Sequence, residues 1–245
     1  MKLLLIIVLP LTIFALVIFR GPPQTDAPSP VINTPTVFPT QIPTLIPTPL
    51  PQLIYIKDVP FASQAPFGDW KDPRQQDGCE EAASLLAVMW ARDKSLTKDQ
   101  ALTHILAIAE YQKDNFGQFT DTSAVDTEKR IIRGYFKFEN SQVVTIKSIT
   151  DLIAPLSQGK LVIVPTNGQL LNNPNFTAPG PERHNLVIRG YDRSTKEFIT
   201  NDPGTRKGEN YRYQEKTLFD SIRDYPTGEH SPITSIAKTA IVVWK

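Results

Sequence analysis

Apolar positions along this chain change their period part-way. From Cys79 to about Arg92 the residues Ala82, Ala83, Leu85, Leu86, Val88, Met89 and Trp90 cover nearly the whole circumference of a helix. A helix that is apolar all round belongs at the centre of a core. From Lys98 to about Lys113 apolar residues recur at helical spacing behind a Thr97/Gln100 capping box, which predicts an amphipathic helix. Ser123 to about Phe136 and Ile149 to about Ser157 read as two more. Short apolar runs bounded by turn residues predict strands at Leu53–Val59, Val143–Ile146, Leu161–Pro165, His184–Tyr191, Glu197–Asp202, Tyr211–Tyr213 and Ala240–Trp244. Lys216–Arg223 reads as a late helix. Helices lead and strands follow, which argues α+β rather than alternating α/β. A long polar stretch from Pro165 to Arg183, holding Gly168, Pro174, Pro179, Gly180 and Pro181, is the kind of loop that carries function or moves.

The segments before residue 53 follow other rules. Leu3–Phe19 is uncharged and flanked by Lys2 and Arg20. At 1.5 Å per residue it would span roughly 25 Å, slightly less than a hydrocarbon core of ~30 Å. No small-x-small cleavage site follows it, so residues 1–20 read as an uncleaved membrane anchor, with a cleaved signal segment as the alternative. The short amino-terminal end is expected to stay in the cytosol and the remainder to lie outside. Residues 21–52 carry a Pro-Thr repeat at 35–36, 39–40, 43–44 and 47–48. Proline at that density blocks helix and central strand and leaves an extended, disordered linker. Residues 53–245 then form one domain.

A net charge of +1 gives no sign of a nucleic-acid partner. One cysteine and three histidines without short spacing offer no zinc site, and no glycine-rich phosphate loop occurs. The lone cysteine is the informative residue. In an exported chain it has no disulfide partner, so it is either inert core or a reactive thiol. Cys79 follows Asp77-Gly78 at the start of the apolar helix, where the partial positive charge of a helix N-terminus favours thiolate. His184 and Asp202 stand at the ends of what reads as one hairpin. With its turn centred near Arg193, His184 would face Asp202, Leu186 would face Thr200 and Ile188 would face Phe198, all on one face. A slip of one residue would separate the pair, so the arrangement depends on register. An imidazole can take the thiol proton, and a carboxylate behind it fixes the ring. The backbone N–H of Cys79 and the side chain of Gln64 are candidate donors to an oxyanion.

Four stretches together resemble the peptidase family C-thirty-nine-like domains, papain-like cysteine peptidases related to bacteriocin-processing, double-glycine peptidases. They are Val59-Pro60-Phe61-Ala62-Ser63-Gln64, the Cys79 helix, His184-Asn185-Leu186-Val187-Ile188-Arg189-Gly190-Tyr191-Asp192 and Asn201-Asp202-Pro203-Gly204. The resemblance implies a helical amino-terminal half whose central Cys-bearing helix packs on an antiparallel sheet. It also implies Cys79 as nucleophile, His184 as general base, Asp202 as orienting acid and Gln64 as oxyanion donor, acting on a peptide or protein substrate with no metal or organic cofactor. Gln75 or Gln76 is the alternative oxyanion donor. Where many relatives continue Cys-Gly-Pro, this chain has Glu80-Glu81. Carboxylates there suit a first helical turn, but they also raise a neighbouring thiol's pKa. They favour the alternative of a catalytically silent binding module on a membrane stalk. A third reading transfers the acyl group to an amine. Trp70, Phe67 and the 167–183 loop are expected to border the cleft.

Overall fold

The structure, a computed structural model, describes Gly21, Pro23 and residues 51–245. The expected anchor and nearly all of the linker lie outside the described residues. Among the described residues no helix is long and apolar enough to cross a membrane.

The helix from Cys79 to Ala91 (α2) forms as its composition predicts. Every residue from Cys79 to Val88, and Trp90, is buried. The amphipathic helix Lys98–Phe116 (α3) starts at the Thr97/Gln100 capping box and runs three residues past Lys113. It stops where Gly117 takes a left-handed φ of 81°, a conformation glycine adopts without steric cost. A single turn that the pattern did not reveal, Pro73–Gln76 (α1), precedes α2 and is capped by Asp72. The expected third helix is also different in kind. Ser123 caps one α turn, Ala124–Asp126, and Thr127–Tyr135 continues as π-helix. Its wider turn still carries Ile131 and Ile132 into the core. The remaining helices are Ile149–Ser157 and Glu215–Ser221.

The strands are β1 Leu53–Tyr55, β2 Ser141–Thr145, β3 Leu161–Thr166, β4 His184–Asp192, β5 Glu197–Asn201, β6 Tyr211–Gln214 and β7 Thr239–Val243. All pair antiparallel in the order β2-β7-β3-β4-β5-β6, with β1 on β4. α2 packs on β4, β3 and β7. The fold is therefore α+β, with a central buried helix on an antiparallel sheet. The opening strand is shorter than Leu53–Val59 because Asp58 takes a φ of 58°; the chain then leaves the sheet toward the site.

The β4–β5 hairpin corrects the predicted register. Asp192 pairs with Glu197 and Tyr191 with Phe198; after a bulge between Ile188 and Gly190, Ile188 pairs with Thr200 and Val187 with Asn201. The turn is centred one to two residues later than expected, so the pairing is displaced by two. A displacement of two preserves side-chain parity. Thr200, not Phe198, therefore faces Ile188, and Asp202 follows on the same side as His184 but diagonally placed.

The bulge leaves Arg189 inside the protein, 3% exposed. Its guanidinium donates to the carbonyl of Ile56 at 3.1 and 2.8 Å and to that of Val59 at 3.4 Å, and lies over the Tyr55 ring. It ties the segment leading to Gln64 onto the hairpin. Gly190 lets that segment approach, since a Cβ there would lie 2.6 Å from the Ile54 carbonyl oxygen. Arg189→Met is expected to cost about 2 to 3 kcal/mol, because two buried carbonyls lose a charged donor. Urea unfolding of the variant checks this.

Candidate active site

A cleft of about 1320 Å³ opens above the start of α2. Its lining includes Gln64, Trp70, Gln76, Cys79, His184 and Gly204. The 167–183 loop supplies one wall through Pro174 to Thr177 and Gly180 to Arg183. Trp70 thus borders the cleft as expected. Phe67 is exposed nearby in sequence but is not part of that lining.

Each predicted residue is held by a different device. Cys79 opens α2, after Gly78 at the N-cap. No room exists for a side chain before it: a Cβ on Gly78 would sit 2.5 Å from the Arg74 carbonyl oxygen. As the first helical residue, Cys79 has a backbone N–H without an intrahelical acceptor. His184 opens β4 and Asp202 immediately follows β5. His184 Nε2 lies 2.7 Å from Asp202 Oδ1, with both residues essentially inaccessible to solvent. An ionised carboxylate can only accept, so Nε2 carries the ring proton and Nδ1 is left as the acceptor. The Phe176 ring stands edge-on to the imidazole, centroids 5.3 Å apart. On another side Gly204 makes space, since a Cβ there would be 2.7 Å from the ring carbon Cε1. The Asn-Asp-Pro-Gly turn thus both positions the acid and accommodates the base.

Asp202 has further support that the sequence pattern did not reveal. Tyr213 donates its hydroxyl to Oδ2 at 2.6 Å, and Asn173 Nδ2 donates to that hydroxyl oxygen at 2.7 Å. The backbone N–H of Gly204 donates to Oδ1 at 3.0 Å. Burial pushes the Asp202 carboxyl up, but the His184 ring, Tyr213 and Gly204 together hold it below its ordinary value. It stays ionised in the interior because its charge is met on every side.

Gln64 shares the cleft, and its backbone N–H donates to the Pro203 carbonyl at 2.8 Å. Its Nε2 donates to the carbonyls of Gln75 at 3.0 Å and Gln76 at 2.8 Å. Both amide hydrogens are therefore engaged within the protein. Gln75 is buried without lining the cleft, whereas Gln76 is exposed on it.

The thiol behaves differently from the expectation at a helix N-terminus. Burial first, and then Glu80 beside it, push the Cys79 thiol well above its usual range, opposed only by the backbone N–H of Asn185. The Cys79 Sγ–H donates to Glu80 Oε2 at 3.0 Å. Among the described residues its hydrogen bond goes to that carboxylate and not to His184. Glu80 and Glu81 are both buried, at 2% and 1% exposure, rather than solvated in the first turn. A second His–Asp pair also belongs to this cleft: His230 donates its backbone N–H to Asp121 Oδ2 at 2.8 Å, and its Nδ1 lies 3.1 Å from the same oxygen. It joins two loops that also line the cleft and meet the end of the 167–183 loop, where Arg183 reaches Asp121 and the Ser231 carbonyl.

A family model described as the Peptidase_C39 like family matches residues 56–226. A solved structure from Bacillus anthracis, described as a C-thirty-nine-like peptidase, superposes with a TM-score of 0.53 at 16% identity, covering 80% of this chain and 98% of that one. Xylellain, a cysteine protease from Xylella fastidiosa, gives a TM-score of 0.48 at 16% identity over 80% of this chain and 86% of its own. No curated protein matches the chain.

Proposed function

We propose that this chain, which belongs to the Peptidase_C39 like family and is a cysteine peptidase, hydrolyses peptide or amide bonds through Cys79, His184 and Asp202 with a thioester intermediate. The observation that carries this reading is the buried 2.7 Å contact of His184 with Asp202 at the edge of the cleft that Cys79 lines. Asp202 holds the ring tautomer in which Nδ1 is free to accept a proton.

In the first step the Cys79 proton passes to His184 Nδ1 while the sulfur forms a bond to the substrate carbonyl carbon. The C=O π pair moves onto oxygen, where the Cys79 backbone N–H meets it. Gln64 joins as a second donor once its Nε2 releases one of its two carbonyls. Collapse breaks the C–N bond, and the imidazolium gives its proton to the leaving nitrogen. Water then adds to the thioester as His184 takes one of its protons. The C–S bond breaks and the sulfur is reprotonated, which returns the enzyme to its starting state. Leu3–Phe19 and the proline-rich linker support a domain tethered to the outer face of a membrane, a proposal that rests on sequence alone.

The test is incubation of the full chain and its Cys79→Ala variant with a peptide library, read by mass spectrometry. Cleaved peptides are expected only with Cys79 present, together with a mass increment on Cys79 equal to the acyl portion of a slowly turned-over peptide. Cleavage that survives in Cys79→Ala sinks the mechanism. Products carrying an added amine in place of a free carboxyl would instead identify acyl transfer.

A further inference from the structure

Glu80 is a buried carboxylate in the first turn of a core helix, and the chemistry described so far makes no use of it. A buried charge is costly unless every oxygen is satisfied. Here both are. Oε2 accepts the Cys79 Sγ–H at 3.0 Å. Oε1 accepts the Tyr225 hydroxyl at 2.7 Å and the Thr122 backbone N–H at 3.2 Å. The Tyr225 oxygen in turn accepts from Asn185 Nδ2 at 2.6 Å. Tyr225, Asn185 and Thr122 are all buried.

The neighbouring Glu81 provides the contrast. Its Oε1 accepts from Gln112 Nε2 at 2.7 Å, while its Oε2 has no partner. Burial first, then the charge of Glu80, push the Glu81 carboxyl well above its ordinary range. Burial pushes both carboxyls up, but of the two adjacent glutamates only Glu80, the one on the sulfur, has both oxygens met by donors. Successive residues of β4 therefore lead into two hydrogen-bonded arms. His184 leads to Asp202, Tyr213 and Asn173; Asn185 leads to Tyr225, Glu80 and Cys79.

Resting on the catalytic reading above, we propose that Glu80 is a positioning residue for the nucleophile. Clamped by Tyr225 and Thr122, its carboxylate takes the Cys79 S–H bond, fixes the sulfur, and keeps it protonated in the empty cleft until substrate draws the thiol toward His184. No covalent chemistry occurs on Glu80. The proton stays on sulfur in the resting state and leaves it for His184 only as the carbon–sulfur bond forms. A resting thiol in place of a resting thiolate protects the site from stray electrophiles and oxidants, which attack the thiolate form.

The titratable groups around the sulfur and its two neighbouring carboxyls come from several elements. Asp77 precedes α2, and Glu80 and Glu81 belong to its first turn. Asp121 lies on the loop before Ala124–Asp126, His184 on β4 in the lining of the same cleft, and Tyr225 after the last helix. Among the described residues only Glu80 makes a side-chain hydrogen bond to the sulfur.

The test is the pH dependence of Cys79 alkylation by iodoacetamide in the full chain, which has no other cysteine to react. In Glu80→Gln the amide oxygen stays with the Tyr225 and Thr122 donors and the amide N–H turns to the sulfur, so the midpoint falls by about one pH unit or more. In Tyr225→Phe the carboxylate loses a competing donor and holds the thiol proton harder, so the midpoint rises. Opposite shifts are not the signature of general loosening, which moves both variants the same way. A midpoint that stays or rises in a folded Glu80→Gln overturns the proposal. If that variant does not fold, Tyr225→Phe decides alone, and an unchanged or lowered midpoint overturns it. Alkylation needs no substrate. Activity surviving in Cys79→Ala would therefore remove the catalytic reading while leaving the midpoints to judge Glu80 separately.

Discussion

Cys79→Ala and His184→Ala are each expected to lower kcat/KM on a cleavable peptide by about 10⁴-fold or more, and the double variant to be no worse than the weaker single one. The two residues serve one step: without the imidazole the thiol keeps its proton, and without the thiol the imidazole has nothing to activate. The burden on His184 is heavier here than at an exposed site, because burial and Glu80 both keep the sulfur protonated. KM should change little, since neither residue offers the cleft much binding surface: Cys79 is 6% exposed and His184 1%. Steady-state kinetics on the best library peptide measures all three variants. Losses that multiply in the double variant would mean that the residues act independently, and the shared-step mechanism would fail.

Much of this site was readable along the chain because its members sit at element boundaries with strong local signals. Gly78-Cys79 marks a helix start, and the all-round apolar run after it predicts a buried helix, as found. Asn201-Asp202-Pro203-Gly204 marks the end of a strand. The error in the hairpin register came from the turn, which lies later than Arg193 and displaces the pairs beside it by three residues; the bulge at Arg189, which alternation alone cannot reveal, takes one back and leaves two. The pairing of His184 with Asp202 survived because two residues is one full period of a strand. The supporting tyrosines were hidden for another reason. Tyr225 meets Glu80 across 145 positions and carries no periodic signature of its own. Likewise the π-turns at Thr127–Tyr135 share the apolar spacing of an ordinary helix closely enough to pass for one. Helix-dipole reasoning about Cys79 missed burial, which is a property of packing rather than of neighbours in sequence.

Asp202→Asn is expected to lower kcat by about 10⁴-fold with KM nearly unchanged, while the protein still folds. The amide is the same size but reverses one hydrogen bond. Its NH₂ can face His184 only if Nε2 becomes the acceptor, and the ring proton then moves to Nδ1, where it blocks acceptance from the thiol. The Tyr213 hydroxyl still finds an acceptor in the amide oxygen, so the arm through Asn173 remains satisfied. The same substitution changes the acid behaviour in a defined direction. Burial alone would raise the Asp202 carboxyl, but His184, Tyr213 and Gly204 hold it below its ordinary value. A carboxyl depressed in the folded state contributes stability that is fully present above the unfolded value of about 3.9 and disappears as pH falls through the folded value. Wild type should therefore exceed Asp202→Asn in urea midpoint at pH 5 to 7. That advantage should shrink progressively below about pH 4, a dependence the amide cannot share because it does not titrate. A gap between the two midpoints that stays constant down to pH 3, together with retained turnover in the variant, would mean that Asp202 neither holds the imidazole nor carries a stabilised buried charge.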